Sequence, residues 1–304
     1  MGEDYPRNQV EFDRRFSTEV SCREYLAGVR WPEGFVCPRC HMRAGWATGR
    51  SLIVCSACGY QASPTAGTIF QDTRKPLGLW FRAIWVITTQ KNGASAMTLQ
   101  RILGLGSYST AWTWLHKLRR AMVRPGRDQL AGRIEVDDAF VGGVEEGVYG
   151  RQPGDKAMIV VAAQEDGKRM GRIRLRRIPD GSAAHLHRFI QDYLEPGSTV
   201  RTDGWMGYRG LPAKGYVHDI IKMKHRRQSN ELLPRVHLVV SLLKRWLLGT
   251  HQGAVGHEYL DYYLDEFTFR FNRRSSQSRG KLFYRLIQQA VTTEPAPYDT
   301  LVQH

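Results

Sequence analysis

Four of the five cysteines fall in two matched pairs, Cys37-Pro-Arg-Cys40 and Cys55-Ser-Ala-Cys58, with 14 residues between the pairs. Two residues between thiols let a tight turn aim both sulfurs at one ion. Two such turns supply the four thiolates of a tetrahedral zinc site. Protein then fills every coordination position, so the zinc is structural, and a ribbon this small depends on its metal to fold. Between the pairs, AGWATGRSLIVC reads as short strands joined at Gly49, and Gly59 suits the turn after the second pair. Cys22 stands alone and reads as a small buried hydrophobe.

Carboxylates carry a second kind of chemistry. Asp137 lies midway along GRIEVDDAFVGG (132–143), which alternates with period two. Ile134, Val136, Asp138 and Phe140 share one face, and Glu135 and Asp137 share the other. An acid inside a sheet-forming segment is costly unless it is paired or metal-bound. Asp203 follows STVRT (198–202), where a strand gives way to a turn at Gly204 and can project a ligand into a crevice. On its own, Asp203-Gly204 would be an ordinary turn. Two carboxylates on separate strands suit a hard divalent ion such as Mg²⁺, and two such ions can clamp the attacking and leaving oxygens of a phosphodiester. One histidine, His237, stands among the apolar residues of RVHLVVSLLKRWLLG, seven places before Lys244. A satisfied core histidine is one reading of it.

These groups need elements to hold them. Beyond the cysteines, the pattern turns helical from Lys75. LGLWFRAIWVITTQ is followed by SAMTLQRIL, by Gly104-Leu105-Gly106, and by SYSTAWTWLHKLRRAM. Ser95 and Ser107 are N-cap candidates. Two short helices around a glycine turn, the second ending in Lys117, Arg119 and Arg120, fit a helix-turn-helix, and they fit a plain helical hairpin as well. PGRDQLAG (125–132) reads as a linker. After it, KAMIVVAAQ (156–164), GRIRLRRI (171–178), STVRT and YVHDIIKM (216–223) continue as strands, with SAAHLHRFIQDYL (182–194) a helix among them. Strands and helices in this order give a mixed sheet with helices packed on it. The last long helix runs from Pro234 toward Gly249. His237, Ser241 and Lys244 lie on one stripe, and Val236, Val239, Val240, Leu243 and Leu247 on the stripe that docks. The fold class is therefore α+β and multidomain: a zinc ribbon region over 1–72, a helix-turn-helix-like DNA-binding domain over 73–128, and a catalytic domain over 129–304.

Composition narrows the partner. Lys and Arg outnumber Asp and Glu by 44 to 29 in 304 residues, a formal charge of +15. Such an excess favours a polyanion, most often nucleic acid. Arg172, Arg174 and Arg176 alternate along one strand as an arginine stripe on an exposed sheet face or edge. KMKHRR adds Lys222, Lys224, Arg226 and Arg227, and RFNRRSSQSRGK (270–281) is a third cluster. Three clusters in one domain favour phosphate contacts, which position DNA rather than read its bases. No stretch approaches the roughly 20 apolar residues of a spanning helix, and the N-terminal MGEDYPRNQVEFDRRF has no apolar signal core. A cytoplasmic protein on nucleoid DNA, with reduced cysteines and no membrane partner, is the expectation.

In order, CPRC…CSAC, IEVDDAFVGG, VRTDGWMGYRGL and HLVVSLLKRWLLGTHQG…HEYLDYYLDEFTFRFNRR resemble the zinc-ribbon branch of bacterial insertion-sequence transposases, the ISXO-like group of the DDE superfamily. The resemblance spans roughly residues 10 to 290, and it is the joint order of the motifs that is specific. It implies an RNase-H-like catalytic domain that uses Mg²⁺ or Mn²⁺. It also implies cleavage of double-stranded DNA at the element's terminal inverted repeats and strand transfer into target DNA, by a homodimer or larger assembly. The family's first two acids correspond to Asp137 and Asp203. Its third, commonly a glutamate seven residues before a lysine, corresponds to His237 ahead of Lys244. Histidine there departs from the commoner pattern. An imidazole can ligate a divalent metal, Mn²⁺ more readily than Mg²⁺, or can orient or deprotonate the attacking water. Lys244 would contact a phosphate oxygen as a point charge. Glu231 and Glu266 are rivals for the third carboxylate, with Glu266 read as an internal ion-pair partner. Glu135 and Asp138 flank the first acid and are read as supporting it or as structural. Two other functions share these motifs: a zinc-ribbon DNA-binding regulator whose catalytic half has decayed, and a nuclease that cuts without joining.

Overall fold

A computed structural model describes residues 3–49, 52–124, 126–142, 156–221, 233–253 and 255–302. The chain divides into two compact units: residues 1–124 together with 275–304, and residues 125–274.

In the first unit, α1 (Gln9–Arg15) and α2 (Glu19–Arg30) are capped by Asn8 and Thr18, whose side chains accept from the Glu11 and Ser21 main-chain N–H groups. The ribbon follows as an antiparallel sheet of β1 (Gly45–Ala47), β2 (Ile53–Cys55) and β3 (Gln61–Ala62). The next helix, α3 (Leu77–Thr89), is apolar on nearly every side and is buried accordingly, from Leu77 and Trp80 to Ile87 and Thr88. Its first N–H, at Leu77, donates to Glu19 at 2.8 Å. Helices α4 (Ala96–Leu103) and α5 (Tyr108–Ala121) begin at the expected caps, Ser95 and Ser107, and Gly104 ends α4 in the left-handed region at φ 61°. Trp80 of α3 stacks on Trp114 of α5 at 3.9 Å between centroids.

The expected sheet domain runs to residue 304. Residues 275–304 belong instead with the first unit. The late helix α9 (Arg279–Ala290) packs against α2, α3 and α5, and its Phe283 enters a cluster of Phe12, Phe16, Tyr25, Phe81 and Trp85. Gly280 makes the approach possible. A Cβ there would lie 1.7 Å from the Pro6 carbonyl oxygen.

The second unit is a five-stranded mixed sheet in the order β6-β5-β4-β7-β8. β4 (Arg133–Val141), β5 (Ala157–Asp166) and β6 (Arg169–Ile178) pair antiparallel. β7 (Thr199–Thr202) and β8 (Val217–Ile220) add parallel on the other side of β4. Helix α6 (Ala183–Tyr193) covers one face, where Ile134, Val136, Val160 and Val200 meet Leu186, Phe189 and Ile190. Helices α7 (Pro234–His251) and α8 (Leu260–Phe271) cover the other, where Ile159, Val161 and Ile173 meet Val236, Val239, Leu243 and Leu264. β6 is an edge strand, and side chains satisfy its outward main chain. Asn272 bonds both the N–H and the carbonyl of Ile173, and Asp261 accepts from the Arg177 N–H. That blocks edge pairing with another chain. No helix of the described residues is long and apolar enough to cross a membrane.

Candidate functional site

The four cysteines converge as their spacing requires. Sulfur separations are 3.7 Å for Cys37–Cys58 and 3.5 Å for Cys40–Cys55, and all four ligand atoms lie within 4.8 Å of one another. Zinc–sulfur bonds of about 2.3 Å imply tetrahedral edges of about 3.8 Å, so the donor set fits zinc. The two turns are built alike. His41 N–H donates to the Cys37 carbonyl and Gly59 N–H to the Cys55 carbonyl, and His41 and Gly59 both take the left-handed region, at φ 62° and 67°. The glycine was legible in advance. In the first turn a histidine occupies the equivalent strained position. Main-chain N–H groups of Cys58 and Ala57 pull the Cys55 thiol down to about 6, toward the thiolate that zinc requires.

Asp137 stands in β4 and Asp203 directly after β7. The parallel register pairs Ile134 with Val200 and Glu135 with Arg201. Asp137 lies two residues beyond Glu135 in β4, on the face that α7 covers, and Asp203 lies two residues beyond Arg201, just past the end of β7. Both acids are half-buried and each accepts a local main-chain bond: Asp138 N–H to Asp137 Oδ1 at 2.9 Å, and Trp205 N–H to Asp203 Oδ1 at 2.9 Å. The turn after Asp203 is tightly specified. Gly204 has φ +80°, a Cβ on it would lie 2.7 Å from Ile220 Cγ2, and its N–H donates to Thr202.

Helix α7 packs on β4 and β5. Val236, Val239, Leu243 and Leu247 are buried as expected, His237 is half-buried, and Ser241 and Lys244 are exposed. Asp137, Asp203 and His237 are not drawn into one tight cluster. Among the described residues, the four cysteines are the group of three or more such ligands that lie within 4.8 Å.

The anchoring of α7 was not legible. Its N-terminus is held by Glu135 of β4, which accepts from the main-chain N–H groups of Arg235 and Val236 at 2.8 and 3.1 Å and from Arg235 Nη1 at 2.9 Å. No sequence pattern links Glu135 to residues a hundred positions away. Glu266 is buried on α8, whereas Glu231 lies outside the described residues.

The basic groups are placed only in part as expected. The arginine stripe lies on the edge strand β6, one of the two places expected, with Arg174 buried and Arg172 and Arg176 half-buried. Arg174 is 3% exposed, donates to the carbonyls of Ile173 and Asp128, and is pulled down to about 10 by burial. Arg176 bonds Asp192 and Tyr193 at the end of α6, and Arg172 bonds the Gln129 carbonyl. The linker and α6 pack along this part of the sheet and leave Arg172 and Arg176 partly open. In α5, Arg119 is buried beside His116 Nε2, and burial lowers the Lys117 pKa. Arg120 is half-buried. The open surface of α4 and α5 is instead Met97, Thr98, Arg101, Ile102 and the start of α5 at Ser107–Ser109. Lys222, Lys224, Arg226 and Arg227 lie outside the described residues.

Comparison with known proteins matches both parts of the chain. An ISXO2-like transposase domain model matches residues 129–272, and a transposase zinc-ribbon domain model matches residues 17–61. Both parts of the chain are thus similar to the zinc-ribbon insertion-sequence transposases. The transposase-domain match ends where the second unit ends, before α9. An uncharacterized protein in transposable element ISH50 of Halobacterium salinarum is 25% identical over 287 residues, covering 84% of this chain and 92% of the relative. A chain in a simian T-cell lymphotropic virus intasome bound to the PP2A regulatory subunit B56 gamma overlays with a TM-score of 0.34 at 14% identity, over 60% of this chain and 70% of that one. A likeness that low supports no argument.

Proposed function

We propose that this protein is a transposase that cuts DNA at the ends of its element and joins the freed ends to target DNA, using divalent ions held by Asp137, Asp203 and His237. The observation that supports the reading is the parallel pairing of β4 with β7, which runs to Glu135 and Arg201, two residues before Asp137 and Asp203. The sheet order supports an RNase-H-like fold: three antiparallel strands, a helix, then two strands parallel to the first.

Asp137 and Asp203 would hold the ions from the sheet and His237 from the helix. Two ions about 3.5–4 Å apart need a wider cradle than a single-ion cluster. Bound there, the ions would supply positive charge to the attacking and leaving oxygens of the phosphodiester. Lys244, exposed two turns along α7, is free to reach a phosphate. In the first step water displaces the element's 3′ oxygen from phosphorus. In the second, that 3′-hydroxyl attacks a target phosphodiester and releases a target 3′ oxygen. The ribbon and the α4–α5 pair would recognise the ends. With Arg119 buried, the start of α5 at Ser107–Ser109 is the part fitted to a groove, as in helix-turn-helix docking. The protein would act as a dimer or larger assembly on paired ends.

The test is nicking of terminal-repeat DNA with Mg²⁺ or Mn²⁺, with Asp137→Ala and Asp203→Ala alongside. Each substitution should cost about a thousandfold in rate. Equal metal-dependent nicking by all three proteins refutes the site. The histidine in place of the commoner glutamate favours a second reading, a DNA-binding protein whose catalysis has decayed. Retained end binding without nicking would support that reading. Nicking without transfer of a pre-cut end would support a nuclease.

A further inference from the structure

Helix α7 begins without a cap of its own. Leu233 offers no side-chain acceptor, and Pro234, in the first turn, has no N–H. The next two N–H groups, at Arg235 and Val236, donate to one oxygen of Glu135, while the other oxygen takes the Arg235 guanidinium. Glu135 is 0% exposed. A side chain from the sheet thus performs the job usually done at the helix start by a local serine or aspartate.

The bond belongs to a ladder of alternating charge. Arg235 Nη1 also meets Glu165 Oε1 at 3.1 Å, Glu165 Oε2 meets Arg133 Nε at 3.3 Å, Arg133 Nη2 meets Asp219 at 3.5 Å, and Asp219 meets Arg201 Nε at 2.9 Å. The ladder runs from α7 through β5, β4 and β8 to β7. Three members stand two residues before a candidate site residue: Glu135 before Asp137, Arg201 before Asp203 and Arg235 before His237. In β4, two residues back is the same face, about 6.7 Å away. Stability alone is a poor reason to bury Glu135, because a buried ion pair is often no better than apolar packing, and fixing a register is its best-attested use.

We infer that Glu135 is a positioning residue: from the strand that carries Asp137 it fixes the first turn of α7 and thereby sets where His237 stands relative to the two acids. This rests on the proposed site. Glu135 touches no reacting atom and acts through His237.

Two measurements test it. In the metal-free full-length protein, Glu135→Gln should shift the imidazole ¹⁵N signals of His237 and leave those of His187, on the α6 face, in place. In strand cleavage of terminal-repeat DNA, Glu135→Gln should lower kcat about tenfold with KM for DNA within about twofold, because small misplacements of a reacting group cost up to about a hundredfold. In a His237→Asn background the same substitution should cost less than about twofold, since residues acting through one another are not additive. Unmoved His237 signals, a change in KM alone, or a second full loss in the His237→Asn background would each overturn the inference. If Glu135→Gln loses zinc or its cooperative melt, Arg235→Gln serves instead. It keeps the carboxylate and both main-chain bonds, and its loss of about threefold should likewise vanish with His237. Asp137→Ala separates the two readings. If it cleaves like wild type, the site itself falls. If it is inactive while Glu135→Gln keeps the wild-type kcat, only the positioning role falls.

Discussion

Replacing Phe283 with alanine should unfold the ribbon-bearing unit ahead of the sheet. Phe283 is fully buried on α9, with ring centroids 5.6 Å from Phe12, 5.6 Å from Phe16, 6.3 Å from Tyr25, 5.8 Å from Phe81 and 5.8 Å from Trp85. Three of the five pairs are edge-to-face and the Tyr25 pair is stacked at a shallow angle, and the partners come from α1 and its C-cap, α2 and α3. Truncating a buried phenylalanine costs about 3–5 kcal/mol, and rings in favourable geometry add about 0.5–1.5 kcal/mol a pair beyond area, so the upper end applies. For a unit of roughly 150 residues, where 1 kcal/mol moves Tm by about 2–4 °C, a loss of about 5 kcal/mol lowers the midpoint by about 10–20 °C. Six of the eight tryptophans lie in this unit, so fluorescence melting reads it selectively. Peptide-level hydrogen exchange should show residues 9–30 and 77–89 losing protection while 133–141 and 157–178 keep theirs. A midpoint shift below about 2 °C, or earlier loss of protection in the sheet, would refute the assignment of residues 275–304 to the first unit.

Two further outcomes follow from the geometry. Cys55→Ser, or a strong chelator, should drop bound zinc below one per chain and melt β1–β3 without unfolding the sheet, because structural zinc supplies about 10–16 kcal/mol of apparent binding energy to such a ribbon; metal analysis with hydrogen exchange reads both. Asp265 on α8 is pushed up to about 7, chiefly by burial and further by Asp261, against the pull of Arg127 and Arg176. The native state then holds a proton that the unfolded chain releases near pH 4, so this contribution is full below that pH and is lost as pH rises through about 7, at about 1.4 kcal/mol per unit. Asp265→Asn should match wild type in urea melts at pH 4 and exceed it at pH 8; a constant difference across that range would count against the neutral acid.

What could be read in advance was what is local. The cysteine pairs, the caps at Ser95 and Ser107, the period-two strands and the apolar stripe of α7 each depend on residues a few places apart, and each formed. The failures are long-range. Alternation says that Arg172, Arg174 and Arg176 share a face, but not that α6 and the linker pack along it. Lys117, Arg119 and Arg120 look like one basic end in sequence, yet successive residues turn by about 100° around a helix, so Arg119 points inward. Glu135 shares the polar face of its strand with Asp137, as expected, but its partners are a hundred positions away.

The return of the chain to its first unit changes what a deletion means. A chain ending at residue 274 keeps every strand of the five-stranded sheet, together with α6, α7 and α8. It loses Leu282, Phe283, Leu286 and Ile287, the face of α9 buried in the first unit. The hole then lies among Phe12, Phe16, Phe81 and Trp85, beneath the helices that carry the ribbon, while the β4–β7 register and the Glu135 cap are untouched. A truncation chosen on the assumption that residues 129–304 form one domain would therefore damage the unit it was meant to spare. A loss of end binding in such a chain would reflect the collapse of that aromatic cluster rather than removal of contacts made by the sheet.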